Sequence, residues 1–209
     1  MDLDEIKLYL PQYLSEDKLT ELKKELRKFG SGNDSWKYFT DRLKSDPTLF
    51  QGDGTMAPIC NLPDTRVQDA PVLLLSNTCD MALENPRLNP CRIMYAPILN
   101  LEKYIERLYA SGMDEERINN HITDIKNQQI SQIFYLPTSV LGSEGNAVSW
   151  HDSIVFFDRT MSVALNPKNV EAMLNSRVFT LSNYGFYLLL LKLSYHFTRI
   201  QEKVDRSVV

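Results

Sequence analysis

From residue 50 onward, the sequence consists of short apolar segments that are interrupted by glycine, proline, asparagine and aspartate. Segments of this kind are typical of β-strands joined by turns. The pattern predicts strands over residues 72–76, 92–96, 130–136 and 177–181, and either one bent strand or two strands over residues 147–163. Many short strands of this kind favour a small, strongly bent sheet or barrel.

The first 48 residues carry helical patterns instead. An apolar stripe recurs at helical spacing after a serine N-cap at position 15, and it consists of Leu19, Leu22, Leu26 and Phe29. A shorter helix, which ends at Pro47, is predicted from the spacing of Trp36, Phe39 and Leu43. We therefore expect residues 1–48 to form a helical N-terminal appendage to a barrel-like domain that comprises residues 49–209.

Two further helical regions are predicted within that domain. Asn100 and Asp114 are suitable N-caps for a two-helix insertion over residues 100–129. A long helix is expected over residues 182–204, and its longest apolar run stops at Lys192, far short of the roughly 20 residues that a bilayer requires. Apolar side chains cover more than one face of this helix, which predicts packing against the sheet and a second surface for a protein partner.

Composition places the chain among ordinary globular proteins and argues against some functions. Apolar residues make up 43% of the chain and charged residues 24%, so a packed core is expected. The net charge of −4 provides no general attraction to phosphates, which disfavours RNA as a partner. Acidic residues directly after Met1 are unlike a secretory signal, and no membrane span is predicted, so we expect a cytoplasmic protein.

Cysteine and histidine are too sparse and scattered to indicate a metal site. The three cysteines are an odd number without CxxC spacing, so free thiols are expected at Cys60, Cys79 and Cys91. The three histidines show no spacing typical of metal ligands. We predict neither a metal nor a cofactor.

The strongest candidate site is the point where the apolar strand of residues 72–75 ends. The strand is followed without a break by small polar groups, a thiol and a carboxylate, namely Ser76, Asn77, Thr78, Cys79 and Asp80. Side chains at a strand exit commonly line a cleft, so these residues could form a hydrogen-bonding pocket. In a purely structural alternative, Cys79 is buried and Asp80 caps the next turn; in a third, Cys79 is a nucleophile, although Asp80 would raise its pKa.

Two other stretches carry polar groups that could serve chemistry. Gly52, Asp53 and Gly54 have the composition of a tight turn, and Asp53 is a candidate binding residue. His151 and Asp152 are half of an acid–base site, but the sequence has no GxSxG serine motif to complete it. The catalytic residues therefore stay unassigned.

Taken in order, several of these segments resemble the PemK/MazF-type toxins, which are small SH3-like barrels. The matching residues are Gly52 and Asp53, then Pro71, Val72, Leu73, Leu75 and Ser76, and then Ala96, Pro97 and Ile98. The resemblance covers residues 50–100 and implies an SH3-like barrel within an α+β fold. It also implies a setting in a toxin–antitoxin or phage-defence system.

The resemblance does not extend to the catalytic positions. Family members that cleave RNA use an arginine before the proline and a threonine or serine after the Ala-Pro-Ile sequence, where this chain has Ala70 and Leu99. Neither side chain can stabilise a phosphorane or transfer a proton. We therefore expect a non-catalytic binding or regulatory module with a protein partner or a second copy. The alternative is an endoribonuclease with a rearranged site around residues 76–80 and an arginine such as Arg66, Arg87 or Arg92.

Overall fold

The computed structural model describes residues 38–61, 63–85, 87–89, 91–141 and 148–198. In these ranges the fold is α+β, as expected, with four helices beside antiparallel sheets. The strands are β1 (Phe39–Thr40), β2 (Gly54–Cys60), β3 (Val67–Leu74), β4 (Arg92–Asn100), β5 (Ile133–Leu136), β6 (Ser139–Leu141), β7 (Val148–Trp150), β8 (Ser153–Phe156), β9 (Met161–Ala164) and β10 (Thr180–Leu181). The helices are α1 (Leu101–Ala110), α2 (Glu115–Lys126), α3 (Pro167–Asn175) and α4 (Asn183–Thr198).

The main sheet has the order β2-β3-β4-β8-β5, and β9 also pairs with β4. Strand β4 is long enough to pair with two strands in succession along one edge: its first half pairs with β9 and its last three residues pair with β8. Residues 147–163, for which the sequence predicts one bent strand or two, contain three strands: β7, β8 and nearly all of β9. The strand pairings of the described residues do not form a closed barrel.

Three hydrophobic clusters hold these elements together. One lies between the sheet and α4 and includes Leu73, Phe134 and Leu189. A second packs α3 against the opposite side of β3 and β4 through Val72, Leu74 and Met173, and a third lies beneath α1 and α2. Successive residues of β3 enter different clusters because side chains alternate across a strand, which explains why Val72, Leu73 and Leu74 are all fully buried.

The two helices of the insertion and the long helix are present, the last as Asn183–Thr198, and residues 199–204 of its predicted range lie outside the described residues. The Asn100 side chain accepts a hydrogen bond from the Lys103 amide at the start of α1, and Asp114 caps α2 in the same way. The Ser182 hydroxyl accepts from the Gly185 amide at the start of α4. None of the helices in the described ranges is long and apolar enough to cross a membrane.

The shorter helix predicted around Phe39 and Leu43 is wrong in the described part of the chain. Phe39 and Thr40 form β1, which pairs with β10, and turns follow up to residue 48. The Phe39 ring packs edge-on against Phe179 with centroids 4.9 Å apart, so contacts distant in sequence outweigh a three-residue helical spacing. Residues 1–37, which contain the longer predicted helix, lie outside the described residues, and the division at residue 48 stays a prediction.

Helix α3 was not predicted, although the sequence contains its start signal. Asn166 accepts a hydrogen bond from the Asn169 amide, and Pro167 occupies the first turn, where its missing amide hydrogen costs nothing. The buried face of α3 consists of Val170 and Met173, which join the second cluster. Two apolar positions in nine residues are a weak periodic signal, and this is why the pattern was overlooked.

Candidate functional site

The Gly-Asp-Gly segment is the tight turn that its composition predicts. Gly52 has φ = 91°, in the left-handed region that glycine adopts without strain. The Asp53 amide donates to the Phe50 carbonyl, and an Asp53 carboxylate oxygen accepts from the Phe50 amide at 2.9 Å. The turn also abuts the end of β3, since the Gly52 amide donates to the Leu74 carbonyl at 2.8 Å.

Asp53 lies inside the core and not on the surface with the other candidate residues. Its side chain has no solvent exposure, and Arg177 lies against it with Nε 3.0 Å from Oδ2. Arg177 is only 3% exposed and also donates to the carbonyls of Leu43 and Asp46 at 2.9 Å and to that of Thr48. Complete burial prevents Asp53 from touching a ligand in this conformation, and the pair instead joins the turns of residues 41–48 to the sheet.

Burial has the largest effect on the pKa of the Asp53 carboxyl group. Burial raises the pKa of Asp53 above its ordinary value, although the Phe50 amide and the Arg177 guanidinium both act to lower it. Arginine stays protonated in proteins, so the charge on Arg177 is fixed. Asp53 and Arg177 form a buried ion pair, so removing either side chain would leave the other buried without its partner.

At the exit of β3, Ser76 is occupied by the backbone of β4. Its hydroxyl accepts a hydrogen bond from the Met94 amide at 2.7 Å and faces the Arg92 carbonyl at 3.4 Å. The amides of Leu75 and Ser76 both donate to the Met94 carbonyl. Ser76 therefore continues the pairing of β3 with β4 by one further residue.

Thr78, Cys79 and Asp80 form a single 3-10 turn that Asn77 caps. The Asn77 side chain accepts from the Cys79 amide at 3.0 Å. The Thr78 hydroxyl accepts from the Gln51 amide at 3.1 Å, which joins this turn to the Gly-Asp-Gly turn. The Gln51 side chain reinforces the junction by donating to the Leu75 carbonyl at 2.8 Å. Gln51 was not predicted, because a lone glutamine gives no signal in a sequence.

Asp80 pairs with Arg87 at the surface. The Arg87 guanidinium donates to the Asp80 carboxylate, and the two side chains are 43% and 46% exposed. The Asn85 side chain donates to the Cys79 carbonyl at 3.1 Å, so Asn85 lies against the 3-10 turn. The structural alternative is wrong about Cys79, which is exposed and not buried. Its other part, that Asp80 caps the turn that follows, stays a prediction.

These contacts involve most of the polar side chains of residues 76–80. Ser76, Asn77 and Thr78 accept backbone amides, and the Asp80 carboxylate faces an arginine rather than a hydroxyl. No pairing of a nucleophile with a base, which acyl or phosphoryl transfer to a side chain requires, is formed by these groups. The polar cluster is therefore a well-connected surface turn.

The other two arginines considered as substitutes are also held in place. Arg66 forms an ion pair with Asp64 at the β2–β3 hairpin, beside an open cavity of about 520 Å³ that does not include residues 76–80. Arg92 donates to the hydroxyl and the carbonyl of Ser162, both at 2.8 Å. In the described part of the chain, Arg87 is the one of these three arginines whose guanidinium binds a side chain of residues 76–80, whereas Arg92 meets Ser76 only through its backbone carbonyl.

The positions of Ala70 and Leu99 agree with their lack of chemical function. Ala70 lies opposite Ala57 in the β2–β3 ladder, and Leu99 lies opposite Ile154 in the β4–β8 ladder. Leu99 is half-buried and packs against the cluster beneath α1 and α2. Both side chains serve the packing of the sheet.

Asp152 is the centre of a hydrogen-bond network and is not paired with His151. Its Oδ1 accepts from the Tyr135 hydroxyl at 2.9 Å and from the amide and hydroxyl of Thr138 at 2.7 and 2.8 Å, while Lys126 lies 3.1 Å from Oδ2. Burial alone would raise the pKa of Asp152, but these donors hold it below its ordinary value. The His151 side chain is exposed. The network fixes the loop after β5 and gives no sign of an acid–base site.

A buried lysine is the most unusual titratable group in the described part of the chain. Lys192 of α4 is 6% exposed, and its Nζ donates to the carbonyls of Gln128 and Ile130 at 2.8 and 2.6 Å. Burial lowers the pKa of Lys192 to about 7. Gln128 has φ = 57°, which turns its carbonyl towards the lysine, and its side chain bonds both backbone groups of Tyr135. In the sequence, Lys192 is distinguished only as the residue at which an apolar run ends.

Exposed apolar side chains lie near the polar turn in sequence or on the strand bonded to it. Leu88 is completely exposed, Leu83 is 45% exposed, and Met94, whose backbone bonds Ser76, is 40% exposed. We call the area formed by residues 76–80 together with Leu83, Arg87, Leu88 and Met94 the loop surface. Exposed apolar side chains next to polar groups can supply contact area for a protein partner.

Comparison of the sequence with protein-family models and with characterised proteins finds no match. In the residues described, no three histidine, cysteine, aspartate or glutamate side chains come together in a way that could hold a metal ion. Cys60, Cys79 and Cys91 are free thiols.

Proposed function

We propose that this chain is a non-catalytic binding or regulatory module that recognises a protein through the loop surface. The observation that carries the proposal is that the side chains of Ser76, Asn77 and Thr78 accept backbone amides and that of Asp80 binds Arg87. The Leu83 and Leu88 side chains, by contrast, are exposed to solvent. A pre-organised surface loses little conformational entropy on binding. Exposed leucines can then supply apolar contact area.

The resemblance to PemK/MazF-type toxins gives this proposal a biological setting. The matched Gly-Asp turn and the end of the matched strand are in contact, since the Gln51 amide donates to Thr78. An SH3-like arrangement of the strands therefore belongs to the proposal, together with a role in a toxin–antitoxin or phage-defence system. Ala70 and Leu99 support regulation rather than RNA cleavage, because neither can replace the catalytic groups of the family.

The test is partner capture with the full chain bearing an affinity tag in its own cells. Leu88→Asp should remove a protein that the unaltered chain retains, since a charge would be desolvated in the interface. Val140→Asp is the matched control, because Val140 is 70% exposed but lies on β6, outside the loop surface. His151→Ala should also retain the partner. Loss of the partner with either control, or its retention with Leu88→Asp, would contradict the proposal.

One observation favours endoribonuclease activity as the second candidate function. Arg87 places a half-exposed cation against Asp80, next to Thr78, and an arginine at such a position can stabilise a developing phosphorane. Incubating the purified chain with single-stranded and structured RNA, with and without divalent metal, distinguishes the two functions. We expect no cleavage. Sequence-specific fragments that disappear with Asp80→Ala would establish the ribonuclease and refute the binding module.

A further inference from the structure

A group of polar and aromatic side chains lies where α1, α2 and the turn after β8 meet. The Tyr104 hydroxyl of α1 is 3.0 Å from the His121 Nε2 of α2, and both side chains are half-buried. The Tyr104 ring packs edge-on against the buried Phe156 ring, with centroids 5.7 Å apart. The Arg159 guanidinium lies over the same ring, with Cζ 4.4 Å from its centroid. Phe156 thus brings a guanidinium, a phenol and, through the phenol, an imidazole into one group.

The backbone and the core hold this group in position. The Arg159 amide donates to the Phe156 carbonyl at 3.2 Å, so a tight turn brings the guanidinium back over the ring three residues earlier. Phe156 belongs to the hydrophobic cluster beneath α1 and α2, and Tyr104 packs against that cluster. A ligand that bound here would therefore find side chains that already have their positions, and binding would cost little conformational entropy.

Arg159 has a different partner from three other arginines of this chain. Arg66, Arg87 and Arg177 each form an ion pair with an aspartate, whereas the exposed Arg159 lies on an aromatic ring. A guanidinium stacked on a ring keeps the N–H groups at its edge for an anion. Burial raises the pKa of Tyr104, and the charge of Arg159 acts in the opposite direction, so the guanidinium is within electrostatic range of the phenol.

We propose that Tyr104, His121 and Arg159 form a binding site for a phosphoryl group, carried by inorganic phosphate or by a small organic phosphate. The guanidinium presents a planar fork of N–H groups that matches two phosphate oxygens. When His121 Nε2 donates to the Tyr104 oxygen, the hydroxyl hydrogen is available to a third oxygen. A carboxylate has only two oxygens and would leave one of these donors without an acceptor. A protonated histidine adds a second positive charge beside the anion.

This phosphoryl site shares no residue with the loop surface. Its side chains come from α1, α2 and the turn after β8, whereas the loop surface comprises residues 76–80 with Leu83, Arg87, Leu88 and Met94. The proposal therefore does not rest on the proposed function. Failure of phosphate binding would leave the capture of a protein partner unaffected, and failure of partner capture would leave phosphate binding unaffected.

The test is titration of the full chain with inorganic phosphate and with phenyl phosphate, followed by NMR of the histidine rings. The chain has three histidines, and the signal of His121 is identified by its loss in His121→Asn. At constant pH and ionic strength, this signal should shift saturably with a dissociation constant of about 1 mM, as two or three charge-assisted hydrogen bonds imply. The exposed His151 should not respond. Tighter binding of phenyl phosphate would indicate an organic phosphate as the ligand, and equal binding would indicate free phosphate.

Two variants remove the donors separately. Arg159→Gln keeps a side chain over the ring but removes the guanidinium, and it should weaken phosphate binding about tenfold. Tyr104→Phe keeps the packing against Phe156 and removes the hydroxyl, and it should weaken binding about threefold. Arg66→Gln is the matched control, because Arg66 is an exposed arginine at the β2–β3 hairpin, and it should bind phosphate normally. Circular dichroism establishes that each variant is folded. A shift that does not saturate, an equal shift of all three histidines, or unchanged affinity in Arg159→Gln would overturn the proposal.

Discussion

This protein has two aspartate–arginine ion pairs, one buried in the core and the other at the surface. Asp53 lies between two glycines directly before β2, and Asp80 is the last of the five small residues that follow the apolar end of β3 and Leu75. Asp53 and Arg177 are 0% and 3% exposed, whereas Asp80 and Arg87 are 46% and 43% exposed. The difference comes from the partner. Arg87 is close in sequence and remains at the surface, while Arg177 comes from the segment before β10 and encloses Asp53 within the fold.

The comparison predicts its largest effect at Asp53. Asp53→Asn should lower the free energy of unfolding by about 3–5 kcal/mol, because it leaves the charge of Arg177 buried without a counter-charge. The loss arises at Arg177 and not at Asp53, since burial already raises the pKa of the Asp53 carboxyl group. Urea denaturation at neutral pH measures the change, and Asp80→Asn is the control. A loss below about 1 kcal/mol would mean that water or a rearrangement compensates Arg177.

Lys192 extends the comparison to a buried amino group that donates to the carbonyls of Gln128 and Ile130 and not to a carboxylate. Its pKa falls from 10.5 to about 7 on folding. Between these two values the unfolded chain binds more protons than the folded chain, so stability should rise with pH. The contribution of Lys192 between pH 7 and pH 9 is about 2 kcal/mol. Lys192→Met should remove this rise, and the difference between the two proteins, measured by denaturation across that pH range, isolates it. Parallel pH curves would contradict the assignment.

The Asp152 side chain is more exposed than that of Asp53 and less exposed than that of Asp80. Its substitution should therefore lower the free energy of unfolding by an intermediate amount. Its side chain is 30% exposed and accepts from Tyr135 and Thr138 beside Lys126. Asp152→Ala should cost about 2 kcal/mol, because it leaves the hydroxyl of Tyr135 and the amide of Thr138 without their acceptor. The donors hold the folded pKa of Asp152 below its ordinary value, so this stabilisation is present above about pH 4 and is lost as the pH falls further. Denaturation at pH 7 and pH 3 compares the two conditions, with His151→Ala as the control. An equal loss at both pH values would exclude an ionised acceptor.

The sequence predicts local features of this fold well, but it predicts contacts between residues far apart in the chain poorly. Asn100 and Asp114 identify the starts of α1 and α2, because a cap depends only on residues within one turn. Phe39 was assigned to a helix, because its strand partner Leu181 is far away along the chain. The same limit applies to the candidate site. Residues 76–80 were recognised from an abrupt change in polarity, whereas the burial of Asp53 depends on Arg177, which no local pattern connects to it.

Substitution of Asp80 should have the smallest effect on stability, and it tests most directly the difference between the buried and the exposed ion pair. Exposed ion pairs contribute roughly 0–1 kcal/mol, so Asp80→Ala should change the free energy of unfolding by less than about 0.5 kcal/mol. The same change releases Arg87 from the loop surface, and capture of the protein partner should therefore weaken although the fold is intact. Arg87→Ala should have the same two effects, which distinguishes the loss of the pair from the loss of one charge. If Asp80→Ala destabilised the chain as much as Asp53→Asn does, both ion pairs would be needed for folding. That result would contradict the proposed role of the loop surface in binding.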